Sequence, residues 1–327
     1  MLSSRVRLAR NLAAFPFPGR CDDGVRRDAA DVLAALLERV SPLVGSSRLG
    51  IDDLDALSRQ VLVENRQISP EFSRGGDGRF VEIDRRGVLS LMVNEEDHLR
   101  LQVVLGGLNL REAWCVARSV HQALGEMDFA FDPSLGFLTA CPTNLGTGLR
   151  ASAMLHLPGL MQTGQMQAVV RECQRVGLAV RGAFGEGSEA QGAMYQVSNQ
   201  VTLGPTEEEL EDKVTRVVRQ LVGEERKALE ALHRAHRLAV EDRVSRAWGC
   251  LRHARILRFS EALEQLSLVR MGGELGILPL LDAPRWNHLM TDAQPARMQG
   301  LAGRVLSPEE RAVLRADRFR EALAAME

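Results

Sequence analysis

Five arginines stand at the edges of turns or strand-like runs: Arg5 and Arg7 in SSRVRLAR, Arg100 in NEEDHLR, Arg150 in GTGLRAS and Arg181 in VRGAFGEGSE. Small residues or turn-formers flank each of them and let a ligand approach the backbone. A guanidinium is planar, permanently charged and able to hold two phosphate oxygens, so a cluster of them suits a polyphosphate. Arg5 and Arg7 are two apart and on a strand would share one face. Two carboxylates accompany the arginines, Glu96 in NEEDHLR and Glu186 in GEGSE. Such a pair beside a phosphate cage can orient a nucleophile and take its proton as phosphate transfers. A guanidinium nucleophile needs this most, because it stays protonated at any ordinary pH and is unreactive until a proton departs.

The composition narrows the classes. Lys+Arg (41) nearly balance Asp+Glu (43), so no whole-chain charge draws the protein to nucleic acid or an acidic membrane. Of those cations only Lys213 and Lys227 are lysine. Cys21, Cys115, Cys141, Cys173 and Cys250 form no C-x-x-C pair, which argues against a disulfide framework or structural zinc and fits a reducing cytoplasm. No apolar run approaches the roughly 18 residues of a membrane helix. Neither the Walker-A pattern nor the kinase glycine-rich loop occurs, so the arginines would have to hold the nucleotide themselves.

The elements that must position these groups follow from periodicity. Residues 22–40 read as an amphipathic helix. VLVEN, RFVEI, VLSLMVN and RLQVVL, between residues 61 and 105, read as strands separated by turns. Residues 108–124 and 165–176 read as helices, GFLTA and LAVRGAF as strands, and AMYQVSNQVTLG as a further strand pair. After Pro205 the pattern is helical throughout, opened by a Thr206/Glu209 capping box. The expected fold is therefore α+β, a mainly antiparallel sheet flanked by helices over residues 1–228, followed by an all-helical part over 229–327.

The ordered motifs SSRVRLAR, NEEDHLR, CPTNLGTGLRAS and RGAFGEGSEAQG…YQVSNQVTLG resemble those of the phosphagen kinases, and most closely the bacterial protein-arginine kinase (McsB-type) branch. The resemblance implies a phosphagen kinase/glutamine synthetase-like catalytic domain. It also implies ATP-dependent phosphorylation of protein arginine side chains, marking proteins for a Clp unfoldase–protease in a stress response. Carried over by motif, Ser3, Ser4, Arg5, Val6, Arg7, Arg100, Arg150, Ala151, Ser152, Ala153, Met154, Arg181, Gly182, Ala183, Phe184, Gly185 and Glu186 would bind ATP. Glu96 would be the base, Glu186 the second clamp on the guanidinium, and Cys141 a reactive cysteine that tunes the chemistry. Mg²⁺ would bridge the phosphates. Protein substrates with exposed arginines, a zinc-finger activator and a homodimer are the implied partners. SSRVR begins at Ser3, so the helical lid that small-molecule relatives carry ahead of it is not expected, and an open site suits a bulky substrate.

Two positions depart from the family pattern. Arg66 stands where a histidine is expected near the nucleotide base. The helical tail reads RAVLRA from Arg311, with Ala312 in place of the acid of the family's phosphoarginine pocket. Arg311 and Arg315 remain four apart on one helix face, a candidate anion site. A small-molecule guanidino kinase and an inactive phosphoarginine-binding adaptor are the alternatives.

Overall fold

The computed structural model describes residues 2–125, 127–183 and 190–324. Its strands are β1 (Ser3–Arg10), β2 (Ser47–Gly50), β3 (Phe80–Ile83), β4 (Leu89–Val93), β5 (Leu99–Gly106), β6 (Phe131–Asp132), β7 (Gly136–Phe137), β8 (Leu149–His156), β9 (Leu178–Gly182) and β10 (Met194–Asn199). β6 and β7 form a small ribbon, and the other eight form one sheet in the order β2-β3-β4-β5-β1-β8-β10-β9. The helices of the first half are α1 (Asp23–Leu37), α2 (Ala56–Glu64), α3 (Leu110–Ala123), α4 (Pro158–Gln162) and α5 (Met166–Arg175). Those of the second half are α6 (Glu207–Ala235), α7 (Arg237–His253), α8 (Phe259–Glu274), α9 (Ala283–Asp292), α10 (Pro295–Ala302) and α11 (Pro308–Ala324).

Two compact units emerge. One comprises Ser3–Ala153 and Ser198–Thr215; the other comprises Met1–Leu2, Met154–Val197 and Arg216–Glu327. In the first, β2 to β5 and β1 pair antiparallel. β1 alternates as a half-covered strand should. Ser4, Val6 and Leu8 are buried, and α3 packs against β1 and β5, while Arg5 and Arg7 are only half-buried. The buried set on α3 (Leu110, Ala113, Trp114, Ala117, Val120) recurs at three- and four-residue steps, so one stripe faces inward. A second small core joins Ile51, Ile68, Phe72, Val81, Ile83 and Met92. In the other unit α7 packs on α8 and α11, around Leu251, Leu263, Leu266, Trp286 and Phe319.

Two expectations are corrected. VLVEN forms the end of α2, not a strand. Asp55 caps that helix by accepting from the Ser58 amide at 2.7 Å, which fixes a helical start that β-branched propensity opposes. The second half of AMYQVSNQVTLG is not a strand either. Thr202 donates its hydroxyl to the Thr143 and Leu145 carbonyls, and the Asn199 amide donates to the carbonyls of Leu149 and Val201. Side chains thus satisfy the backbone that a ladder would otherwise satisfy. The Thr206/Glu209 capping box forms as expected, with bonds of 2.8 and 3.2 Å in both directions.

Candidate active site

Strand register builds the cation cluster. Ala9 lies opposite Arg100 and Arg7 opposite Gln102, so Arg5, Arg7 and Arg100 share one face of the sheet. Their charges act on one another. Arg5 is lowered from the ordinary arginine range to about 9, by burial first and then by the cations of Arg66, Arg100 and Arg150. Arg7 is also lowered well below the ordinary arginine range, by burial first and then by Arg5, Arg100 and Arg150, with Glu95 acting in the opposite sense. The Arg7 Nε is buried without a hydrogen-bond partner among the described residues. Four arginines of the first unit therefore converge, and Arg66 makes a fifth. Arg66, at φ 61°, sits in a left-handed position after α2, and its carbonyl accepts from the Gln102 side chain. Sequence reading placed Arg66 beside the nucleotide base; no pattern in the chain signals that it strengthens the cation field.

Not every arginine of SSRVRLAR joins. Arg10 points to the opposite face and is 2% exposed. It donates to the Ala9 and Thr147 carbonyls at 2.7 and 2.9 Å, and its guanidinium lies 3.5 Å from the Phe137 ring centre. Ser4 and Val6 also face away from the cluster. The Ser4 hydroxyl bonds the Gly107 carbonyl and the Asn109 amide at 2.8 and 2.9 Å, securing the start of α3.

Between Leu91 and Leu99 every residue is buried except Glu96. That exposed carboxylate lines a cleft of about 190 Å³ with Arg7, Arg100, Arg150, Cys141, Thr143 and Asn144. The loop that presents it is pinned on all sides. Asn94 adopts φ 58°, a conformation asparagine tolerates, and its amide donates to the Arg26 and Gly78 carbonyls at 2.8 and 3.0 Å. Asp97 accepts from Asn11 at 2.6 Å and from the Ala140 amide at 2.7 Å, tying the Glu96 loop to the loop of Cys141. Burial raises the Asp97 carboxyl pKa, and these two bonds pull it back. Glu95 pairs with Arg100 and accepts from Ser69. Sequence reading passed over Asn11, Asn94, Glu95 and Asp97. Their signal was three acids in four residues, of which solvent needs only one.

His98 completes the support. The Leu12 amide donates to its Nδ1 at 3.2 Å, and Phe15 and Phe17 approach edge-on. Burial lowers it from 6.5 to about 4, the Pro16 carbonyl opposing. A histidine kept neutral in the fold but protonated when unfolded contributes stability above pH 6.5 and loses it as pH falls toward 4. The loss is expected to reach about 3 kcal/mol. Urea midpoints at pH 7.5 and 5.0 check this, and His98→Gln is expected to flatten the difference.

Arg150 opens β8, bonding Ser198 at 3.3 Å. The turn before it requires glycine. Gly148 has φ +62°, and a Cβ there would lie 2.6 Å from the Ala9 carbonyl oxygen. Gly148→Ala is expected to cost about 2 kcal/mol and to weaken ATP binding by shifting Arg150; thermal melts with and without ATP measure both effects. Along β8, Ala151 and Ala153 are buried, and Ser152 donates to the Arg5 carbonyl at 3.4 Å. Cys141 is half-buried, its Sγ 3.0 Å from the Thr143 hydroxyl.

Met154, Arg181, Gly182 and Ala183 belong to the other unit. Met154 joins its core, and Arg181 is exposed near the end of β9. Phe184, Gly185 and Glu186 lie outside the described residues. In α11, Arg315 is 2% exposed and donates to the Ala293 and Leu257 carbonyls at 2.6 and 2.8 Å, while Arg311 donates to the Leu306 carbonyl at 2.7 Å.

Residues 37–228 match the family model described as ATP:guanido phosphotransferase, C-terminal catalytic domain. The chain belongs to the ATP:guanido phosphotransferase family, among the protein-arginine kinases. Residues 237–327 match the protein-arginine kinase McsB C-terminal domain. The protein-arginine kinase of Moorella thermoacetica is 48% identical over 99% of this chain and 94% of its own length. That of Symbiobacterium thermophilum is 45% identical over 99% and 93%. Among solved structures, a duplicated taurocyamine kinase from Schistosoma mansoni is similar at TM-score 0.62 and 28% identity, over 68% of this chain and 32% of that one. Lombricine kinase shares the fold at TM-score 0.62 and 24% identity, over 70% and 67%. A guanidino phosphotransferase of this family is a transferase.

Proposed function

We propose that this protein transfers the γ-phosphoryl group of ATP to arginine side chains of other proteins. The observation that carries the reading is Glu96, the one exposed residue of a buried run, facing the arginine cluster. Arg5, Arg7, Arg100 and Arg150 hold the triphosphate and neutralise the charge that passes to the leaving ADP. Glu96 accepts a proton from the substrate guanidinium as its nitrogen bonds to phosphorus and the bond to the ADP oxygen breaks. Glu95 keeps Arg100 aimed into the cleft. Glu186 is the second clamp on the guanidinium, and Cys141 adjusts the site from its edge. Among the described residues no three His, Cys, Asp or Glu gather to hold a metal. Magnesium would be held by the phosphates of ATP, not by this cationic lining, and would supply further charge neutralisation.

Residues 1–228 form the catalytic part in this reading, and residues 229–327 the part that dimerises and regulates. The matched spans 37–228 and 237–327 support that division. No described helix is long and apolar enough to cross a membrane. A cytoplasmic enzyme that marks proteins for a Clp protease under stress, aided by a zinc-finger activator, is consistent with this reading. The test is incubation with ATP-Mg²⁺ and casein, then mass spectrometry of acid-labile phosphate at neutral pH. Phosphoarginine on casein is expected. Rapid turnover of free arginine with casein untouched would make this a small-molecule kinase, and no transfer to either would make it an adaptor.

A further inference from the structure

A second cavity lies wholly within the unit that contains Met154–Val197 and Arg216–Glu327, and it shares no lining residue with the cleft around Glu96. It encloses about 90 Å³, lined in part by His156, Glu225, Arg226, Arg270 and Glu274. Arg270 extends from α8 and is 8% exposed. Its guanidinium carbon lies 4.8 Å from the Trp286 ring centre. Nη1 is buried with no hydrogen-bond partner among the described residues. Nη2 stands 4.0 Å from the half-exposed Glu274 carboxylate, too far for a hydrogen bond.

The other buried polar groups of the lining already have partners of their own, so none reaches the Arg270 Nη1. Glu225 accepts from the Gly159 and Leu160 amides at 2.7 and 2.9 Å, and burial still pushes its carboxyl up to about 7. His156 is held neutral by burial and then by Arg270, and its Nε2 pairs with the Ser267 hydroxyl at 2.7 Å. A buried cation with an unmet donor is costly, and an anion in the adjoining space removes that cost.

We propose that this cavity is a binding site for a small phosphate-type oxyanion, received by Nη1 of Arg270 with the exposed Arg226 at its mouth. The space is too small for a nucleotide and large enough for one tetrahedral ion. Trp286 lies against the guanidinium, and Nη1 is the atom left without a partner. The site is independent of the transfer reaction, and its occupancy would tie together β8, α4, α6 and α8, which all contribute to its lining.

Trp286 is also the reporter. In the full chain carrying Trp114→Phe and Trp248→Phe it is the sole tryptophan, since the sequence has three. Inorganic phosphate titrated at constant ionic strength is expected to change its fluorescence along a saturable curve. Arg270→Gln is expected to weaken that binding at least about tenfold, and Glu274→Gln, which removes a competing carboxylate, to tighten it several-fold. A change that never saturates, or an unaltered curve in Arg270→Gln, overturns the proposal. Should Arg270→Gln not fold, the half-exposed Glu274→Gln decides: unchanged phosphate affinity overturns it equally. Phenyl phosphate in a parallel arm separates the two sources of such a group. Binding as tight as that of phosphate supports a ligand tethered to a larger molecule, and binding of phosphate alone supports the free ion.

Discussion

Glu96→Gln is expected to lower phosphoryl transfer by about 10²–10⁴-fold, the usual worth of a general base, while ATP affinity stays within about threefold. The side chain is exposed, so the exchange removes a proton acceptor without opening a cavity. The loop beneath it is held by Asn94, Asp97 and His98, none of which the substitution touches. Single-turnover rates and calorimetric ATP binding measure the two halves separately. A variant that transfers at the wild-type rate removes Glu96 from the chemistry. One that loses ATP binding in step with the rate makes it part of the nucleotide site instead.

Arg5→Gln is expected to do something less common: stabilise the free protein and disable the enzyme. The Arg5 guanidinium is lowered to about 9 by burial and three neighbouring cations. A base whose folded pKa lies below its unfolded value destabilises the fold at every pH below that folded value. The cost is relieved only as pH rises from about 9 toward the ordinary arginine range. At neutral pH the empty site is therefore under repulsion that a triphosphate would cancel. Removing one cation should raise the melting temperature of the free protein by a few degrees and weaken ATP by about 10- to 100-fold. The ATP-induced rise in melting temperature should shrink accordingly. Differential scanning fluorimetry with and without ATP reads both. A lower melting temperature with an undiminished ATP response would mean that Arg5 supports the fold and does not hold phosphate.

Much of this site was legible in the chain. Arg5 and Arg7 share a face because strand side chains alternate, a local rule that needs no partner. Glu96 stood out as a carboxylate beside a cation-rich motif, and the helix start at Thr206 was written in two residues three apart. The reading failed where local preference met long-range contact. VLVEN carries strand-forming residues, yet Leu62 and Val63 become helical because Asp55 caps the turn and the core of Phe72 and Val81 receives that helix face. QVTLG looks like a strand, but the hydroxyl of Thr202 binds the segment to the loop after Cys141 and the amide of Asn199 binds it to the start of β8.

Residue chemistry alone determined that this protein carries fixed cations and a proton acceptor suited to moving phosphate onto a guanidine. Only the tertiary structure decided which arginines come together. The antiparallel register that sets Ala9 against Arg100 brings residues nearly a hundred positions apart onto one face, and turns Arg10 of the same motif away to Phe137. It also buried Glu95 and Asp97 while leaving Glu96 in the open. Charge belongs to a side chain, whereas solvation and proximity belong to its surroundings, and those exist only once the strands have paired.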